Sequence, residues 1–172
     1  PMRSEHLKKL VLASLFAALS CVATMVIQIP SPMNGYVNLG DCVVLLSGWL
    51  LGPVYGFAAA AVGSALADLF SGYAHYAVGT FVIKGVMAVV ASLLAAAVKE
   101  TTGHITPARI VSGVAAEVVM VLGYFAFASL WLGKGLAAAS SIPGNIVQGV
   151  FGIIAATLLA AALERSKVSL AK

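Results

Sequence analysis

The stretch VNLGDCVVLLSGWLLGPVYGFAAAAVGSALADLF, residues 37–70, decides the fold of this chain. It is apolar nearly throughout, with Asp41 and Asp68 as its only charges. A membrane-spanning helix needs about 20 residues (roughly 17–25), so the stretch is too long for one span and short for two. Two spans fit only if a tight turn divides them, and Gly52-Pro53 supplies that turn signal. One kinked helix here gives five spans in the whole chain; two shorter helices give six.

Positive charge chooses between the two. Further apolar runs lie at 10–29, 80–98, 107–132 and 143–163, with Pro107 and Pro143 placed to open helices. Pro30, Pro32, Asn34 and Gly35 mark a loop after the first run, and Lys99–Thr106 is a polar connection. With six spans, Arg3, Lys8, Lys9, Lys99, Arg109, Arg165, Lys167 and Lys172 share one side and Lys134 alone lies on the other. Five spans would split these clusters across the bilayer. The bias toward a positive cytoplasmic side therefore predicts an all-α integral membrane protein with six transmembrane helices and cytoplasmic N- and C-termini. Residues 1–172 form one membrane domain in this reading, with spans at 10–29, 37–51, 54–71, 80–98, 107–132 and 143–163. Trp49 and Trp131 then fall near opposite interfaces.

Composition requires the bilayer. The 172 residues are 61% hydrophobic and only 9% charged, with a mean hydropathy of +1.03, whereas a soluble domain carries about 25% charged residues. No stretch remains for a soluble catalytic or nucleotide-binding domain. The net charge of +4 is distributed as a membrane-orientation pattern and not as a basic groove for nucleic acid. Cys21 and Cys42 lie in or beside apolar runs without metal-ligand spacing and read as packing residues. Leu10–Ile29 follows basic residues as a leader would, but the similar runs behind it make it a first span.

Within this frame the polar residues gather toward the outside. Tyr36, Asn38 and Asp41 lie in or beside the first loop; Asp68, Tyr73, His75 and Tyr76 surround the end of the third span. Lys84 lies near the outer end of the fourth span, Glu117 and Tyr124 run outward from mid-depth on the fifth, and Asn145 and Gln148 open the sixth. A charge at membrane depth costs about 2.5–3.5 kcal/mol on insertion scales, so it persists mainly where it faces a cavity or a partner. A one-sided set predicts a pocket open to the exterior and closed below, whereas a through-pore needs polar residues at all depths. The tyrosines and His75 can stack on a planar ring, and Asn38, Asn145 and Gln148 offer both donors and acceptors. These twelve residues are the candidate substrate site. Plainer roles stand beside these: Asp68–Lys84 as a structural pair, Glu117 as a protonated acid bonding a neighbouring helix, Asp41 as a helix cap.

Several stretches together resemble a known family. These are Gly35-Tyr36-Val37-Asn38-Leu39-Gly40-Asp41, Gly63-Ser64-Ala65-Leu66-Ala67-Asp68-Leu69-Phe70-Ser71-Gly72-Tyr73, Phe81-Val82-Ile83-Lys84-Gly85 and Ile142-Pro143-Gly144-Asn145-Ile146-Val147-Gln148-Gly149. With the Ala13-xxx-Ala17 face, they look like the substrate-binding S component of an energy-coupling factor (ECF) transporter, in particular the hydroxymethylpyrimidine-type subgroup. The resemblance implies a prokaryotic cell-membrane subunit that captures a small vitamin or vitamin precursor, such as hydroxymethylpyrimidine or a pyridoxine-like heterocycle, from outside. It implies as partners a transmembrane coupling protein, contacted through Ala13 and Ala17, and two cytoplasmic ATPases; the chain has no Walker sequence of its own. The loop between the first two spans would act as a lid, and the subunit would topple to release its ligand. Met2 is followed by Arg3, not by the His of the cobalt and nickel branch, so no metal or other cofactor is expected. Two other readings compete: a self-sufficient transporter or channel acting as a homo-oligomer, and an enzyme using Asp41, Asp68 and His75. No nucleophile motif supports the latter, so the chain is read as non-enzymatic.

Overall fold

The computed structural model describes residues 2–166; Lys167 and Lys172 of the expected cytoplasmic cluster lie outside the described residues. Helix α1 (Met2–Val26) leads into two short antiparallel strands, β1 (Gln28–Ser31) and β2 (Gly35–Asn38). Helices α2 (Gly40–Phe70), α3 (Ala74–Thr102), α4 (Ile105–Ala126) and α5 (Ile142–Arg165) follow. A π-helical turn, Phe127–Trp131, and a 3-10 segment, Gly135–Ser141, connect the last two.

Among the described residues five helices are long and apolar enough to cross a membrane, which corrects the expected six. The difference lies in α2. The expected spans 37–51 and 54–71 belong to this one helix, broken at Gly52, where φ is 81° and ψ −179°. Only glycine adopts that backbone conformation readily, and Pro53 opens the next turn without needing a hydrogen-bond acceptor. The first half, Gly40–Leu51, rises only about 18 Å, short of a hydrocarbon core about 30 Å thick.

The break reverses the chain. In a straight helix residues 48 and 56 would stand about 12 Å apart along the axis. Here a Cβ built on Gly56 would lie 3.0 Å from the Cα of Gly48 and 2.8 Å from the carbonyl oxygen of Ser47. The two halves therefore run back along each other, and Asp41 and Asp68 finish at the same end of the molecule. Gly52→Ala is expected to cost about 1–3 kcal/mol through backbone strain alone, because a methyl group there meets nothing within 4 Å. A denaturant titration in detergent checks this, and an unchanged midpoint would contradict it.

Helix α2 is the centre of the bundle, contacting α1, α3 and α5. Bare glycines allow the close approach: Gly63 lies against the Ala17 carbonyl of α1, and Gly48 against the Ala88 carbonyl of α3. Ser20 and Ser64 share a hydrogen bond of 3.2 Å across the first of these contacts. The surface is the reverse of a soluble protein's. Leu158, Phe151, Val54 and Leu122 are exposed, whereas Asp41, Ser20, Ser47, Ser64 and Ser112 are fully buried.

Contacts sort into two ends. At one, His6 meets Tyr55, Trp49 donates to Ser112 at 3.0 Å and Arg109 donates to Glu164 at 2.7 Å. Trp49 thus faces the bundle, while Trp131, at the opposite end, is exposed. The strands and the candidate site occupy that opposite end.

Candidate functional site

The expected lid loop is a β-hairpin. Gln28 pairs with Asn38 and Ser31 with Gly35, and Asn34 turns the chain at a φ of 53°. Side chains tie it down at several points. Tyr36 Oη donates to Asp68 Oδ1 at 2.5 Å, Tyr76 Oη to the Met33 carbonyl at 2.8 Å, and Gln28 Nε2 to Ser71 Oγ at 2.9 Å. His75 Nε2 lies 3.1 Å from the Asn34 carbonyl, an acceptor, so this nitrogen carries the proton. Tyr73 backs the hairpin from outside, its ring centroid 4.5 Å from that of Tyr36. Burial, and secondarily the Asp68 carboxylate, hold the Tyr36 phenol above its ordinary range, so it remains a donor.

Beneath the hairpin lies a cavity of about 440 Å³, counting its open mouth. Seven of the twelve candidate residues line it: Tyr36, Asn38, Asp68, Tyr76, Tyr124, Asn145 and Gln148. Tyr73 and His75 instead brace the hairpin. Asp41, Lys84 and Glu117 lie deeper, behind the wall. Ser31, Gly35, Thr80 and Ser141 also line the cavity and were missed from sequence. Two of them had a signal: Thr80 falls on the helical stripe Tyr76–Thr80–Lys84, and Ser141 lies one turn before Asn145.

Most polar groups around the cavity are already engaged. Gln148 is a bridge: its Oε1 accepts from the Asn38 backbone N–H at 2.9 Å, and its Nε2 donates to Asp41 Oδ2 at 2.7 Å. Asp41 Oδ1 accepts from Lys84 Nζ, which also stands 5.5 Å from the Tyr124 ring centre. Lys84 thus pairs with Asp41, correcting the expected structural pair with Asp68. Asn38 Oδ1 accepts from the Gly40 N–H at 2.8 Å, opening α2, the capping role expected of Asp41. Thr80 and Tyr124 share a hydrogen bond of 2.8 Å. Asp68 Oδ2 is buried and has no partner among the described residues. Asn145 makes no side-chain hydrogen bond among them and is 8% exposed, facing the cavity. Both are left free to meet a ligand.

The two alanines expected at the partner face lie largely inside the bundle. Ala13 is 6% exposed, turned into the core, and Ala17 is half-buried with its carbonyl covered by Gly63. Beside them on α1, Ser14 and Ala18 are uncovered. Among the described residues no cluster of three metal-ligating side chains occurs.

Over residues 4–165 the chain matches the family described as ECF-type riboflavin transporter, S component, and it belongs to that family. It is therefore a multi-pass membrane protein, the substrate-binding component of an ECF transporter, and not an enzyme. The family is of the riboflavin type, which corrects the expected hydroxymethylpyrimidine subgroup. A solved structure described as "Structure and mechanism of the S component of a bacterial ECF transporter" superposes with a TM-score of 0.67. It covers 93% of this chain and 97% of that one at 25% identity. An uncharacterized protein in a gap 3′ region of Pyrococcus woesei is 42% identical over 135 residues, 77% of this chain and 86% of that protein.

Proposed function

We propose that this S component captures riboflavin, or a close flavin relative, from outside the cell in the cavity beneath the hairpin. The observation that carries the reading is the lining itself. Tyr36, Tyr76 and Tyr124 offer aromatic faces to a planar ring, while Asn145 and Asp68 Oδ2 are free to bond its polar edge or a hydroxylated side chain. The riboflavin type of the family supports the same substrate class.

Orientation follows from charge. Arg3, Lys8, Lys9, Lys99, Arg109 and Arg165 lie at the end away from the cavity, which a positive cytoplasmic side places inside. In this topology α2 enters from outside, reverses at Gly52 and returns, so both chain ends are cytoplasmic. The hairpin then gates the cavity from the exterior, opening when the Tyr36–Asp68 and Tyr76–Met33 bonds break. Delivery is to a coupling protein with two ATPases, docked on the uncovered side of α1 around Ser14 and Ala18.

Thermal stabilisation of the detergent-purified protein against a vitamin panel tests the substrate. A ligand at a hundredfold its Kd adds about 2.7 kcal/mol to the native state. Riboflavin is expected to give a shift of that size, and hydroxymethylpyrimidine and pyridoxine none. A shift with either of the latter and none with riboflavin would reverse the assignment.

A further inference from the structure

Behind the cavity wall three charged side chains converge from three helices: Asp41 of α2, Lys84 of α3 and Glu117 of α4. Each is more than nine-tenths buried. Both oxygens of Asp41 are engaged, one by Lys84 and the other by Gln148. Neither oxygen of Glu117 has a donor among the described residues, yet Glu117 Oε1 and Asp41 Cβ both crowd the same point beside Gly152, so the two carboxyl groups are neighbours. Two ionised carboxylates cannot bond to each other, because both only accept. One ammonium facing two carboxylates also leaves a negative charge uncompensated, in a place where water cannot solvate it.

Something positive must complete the cluster, and space limits what it can be. A Cβ on Gly149 would stand 3.0 Å from Glu117 Oε2; one on Gly152 would stand 3.1 Å from Glu117 Oε1 and 2.9 Å from Asp41 Cβ. The α5 backbone is thus pressed against the pair, leaving no room on that side for a hydrated cation. A proton needs none.

We propose that Glu117 carries a proton and donates it to Asp41, making Asp41, Lys84 and Glu117 a one-proton site of zero net charge. The groups facing it are Tyr124 on α4, under Lys84; neutral Gln148 on α5; and Asp68 on the far half of α2, which acts on Lys84. Through Gln148 the site is joined to the Asn38 N–H of the hairpin, so loss of the proton would disturb the bridge that seats the lid. The inference does not depend on which vitamin is bound.

Infrared spectroscopy of the ligand-free, full-length protein in lipid nanodiscs tests it, with glutamate carbon-13-labelled at the side-chain carboxyl. The chain has four glutamates, and Glu5, Glu100 and Glu164 are exposed, so a buried-acid signal from glutamate reports Glu117. A carboxylic-acid C=O stretch is expected at neutral pH, moving to lower frequency with the label and absent from Glu117→Gln. The labelled wild-type protein decides the matter even if that variant fails to fold. Glutamate bands of ionised carboxylate alone would overturn the proposal. So would an acid band insensitive to the label, which would put the proton on an aspartate.

Discussion

Lys84→Met is expected to lower stability by about 3–5 kcal/mol, the cost of removing one partner of a buried ion pair. The reason lies in what remains. Asp41 is fully buried at the start of α2 and depends on the lysine for charge compensation, with Gln148 meeting only its second oxygen. The double variant Asp41→Asn/Lys84→Met should regain most of the loss, since an asparagine oxygen still accepts from Gln148 and no unpaired aspartate is left. Unfolding midpoints of the two variants in lipid bicelles check the pair. Equal destabilisation in single and double variants would mean that packing, not charge pairing, holds the two helices together.

Asn145→Ala is expected to weaken riboflavin binding about 10- to 100-fold, equivalent to roughly 1.4–2.7 kcal/mol, while leaving the melting temperature unchanged. Its amide faces the cavity and bonds nothing in the described protein, so ligand alone should miss it. Gln148→Ala should behave differently. Because Gln148 bonds both Asn38 and Asp41, its loss should reduce stability and affinity together. Titrations paired with thermal melts separate the two behaviours; a destabilised Asn145→Ala with normal affinity would assign Asn145 to scaffold.

The polar end of the bundle was legible because charges inside apolar helices are rare and need partners. Asp41, Lys84 and Glu117 stand out on that ground alone, although which carboxylate Lys84 would choose depends on the reversal of α2. Gly52-Pro53 also announced its turn. What the turn does, reversing the chain so that its two halves lie side by side, depends on close packing of Gly48 against Gly56, which no local pattern displays. The hairpin was hidden because Pro30, Pro32 and the Asn34-Gly35 pair signal a loop, and the strands on either side are too short to display alternation. Helix α1 hid its direction. It is alanine-rich and apolar all round, so nothing in its pattern told whether Ala13 and Ala17 or Ser14 and Ala18 face the neighbouring helix.

The claim on which the account depends is that a flavin sits among Tyr36, Tyr76 and Tyr124 beneath the hairpin. The most direct measurement is a titration of riboflavin fluorescence with the protein in lipid nanodiscs. Ring stacking on these tyrosines predicts saturable quenching at one flavin per chain, undisturbed by excess hydroxymethylpyrimidine. Fluorescence that stays constant through the titration, or quenching that hydroxymethylpyrimidine reverses, would contradict it.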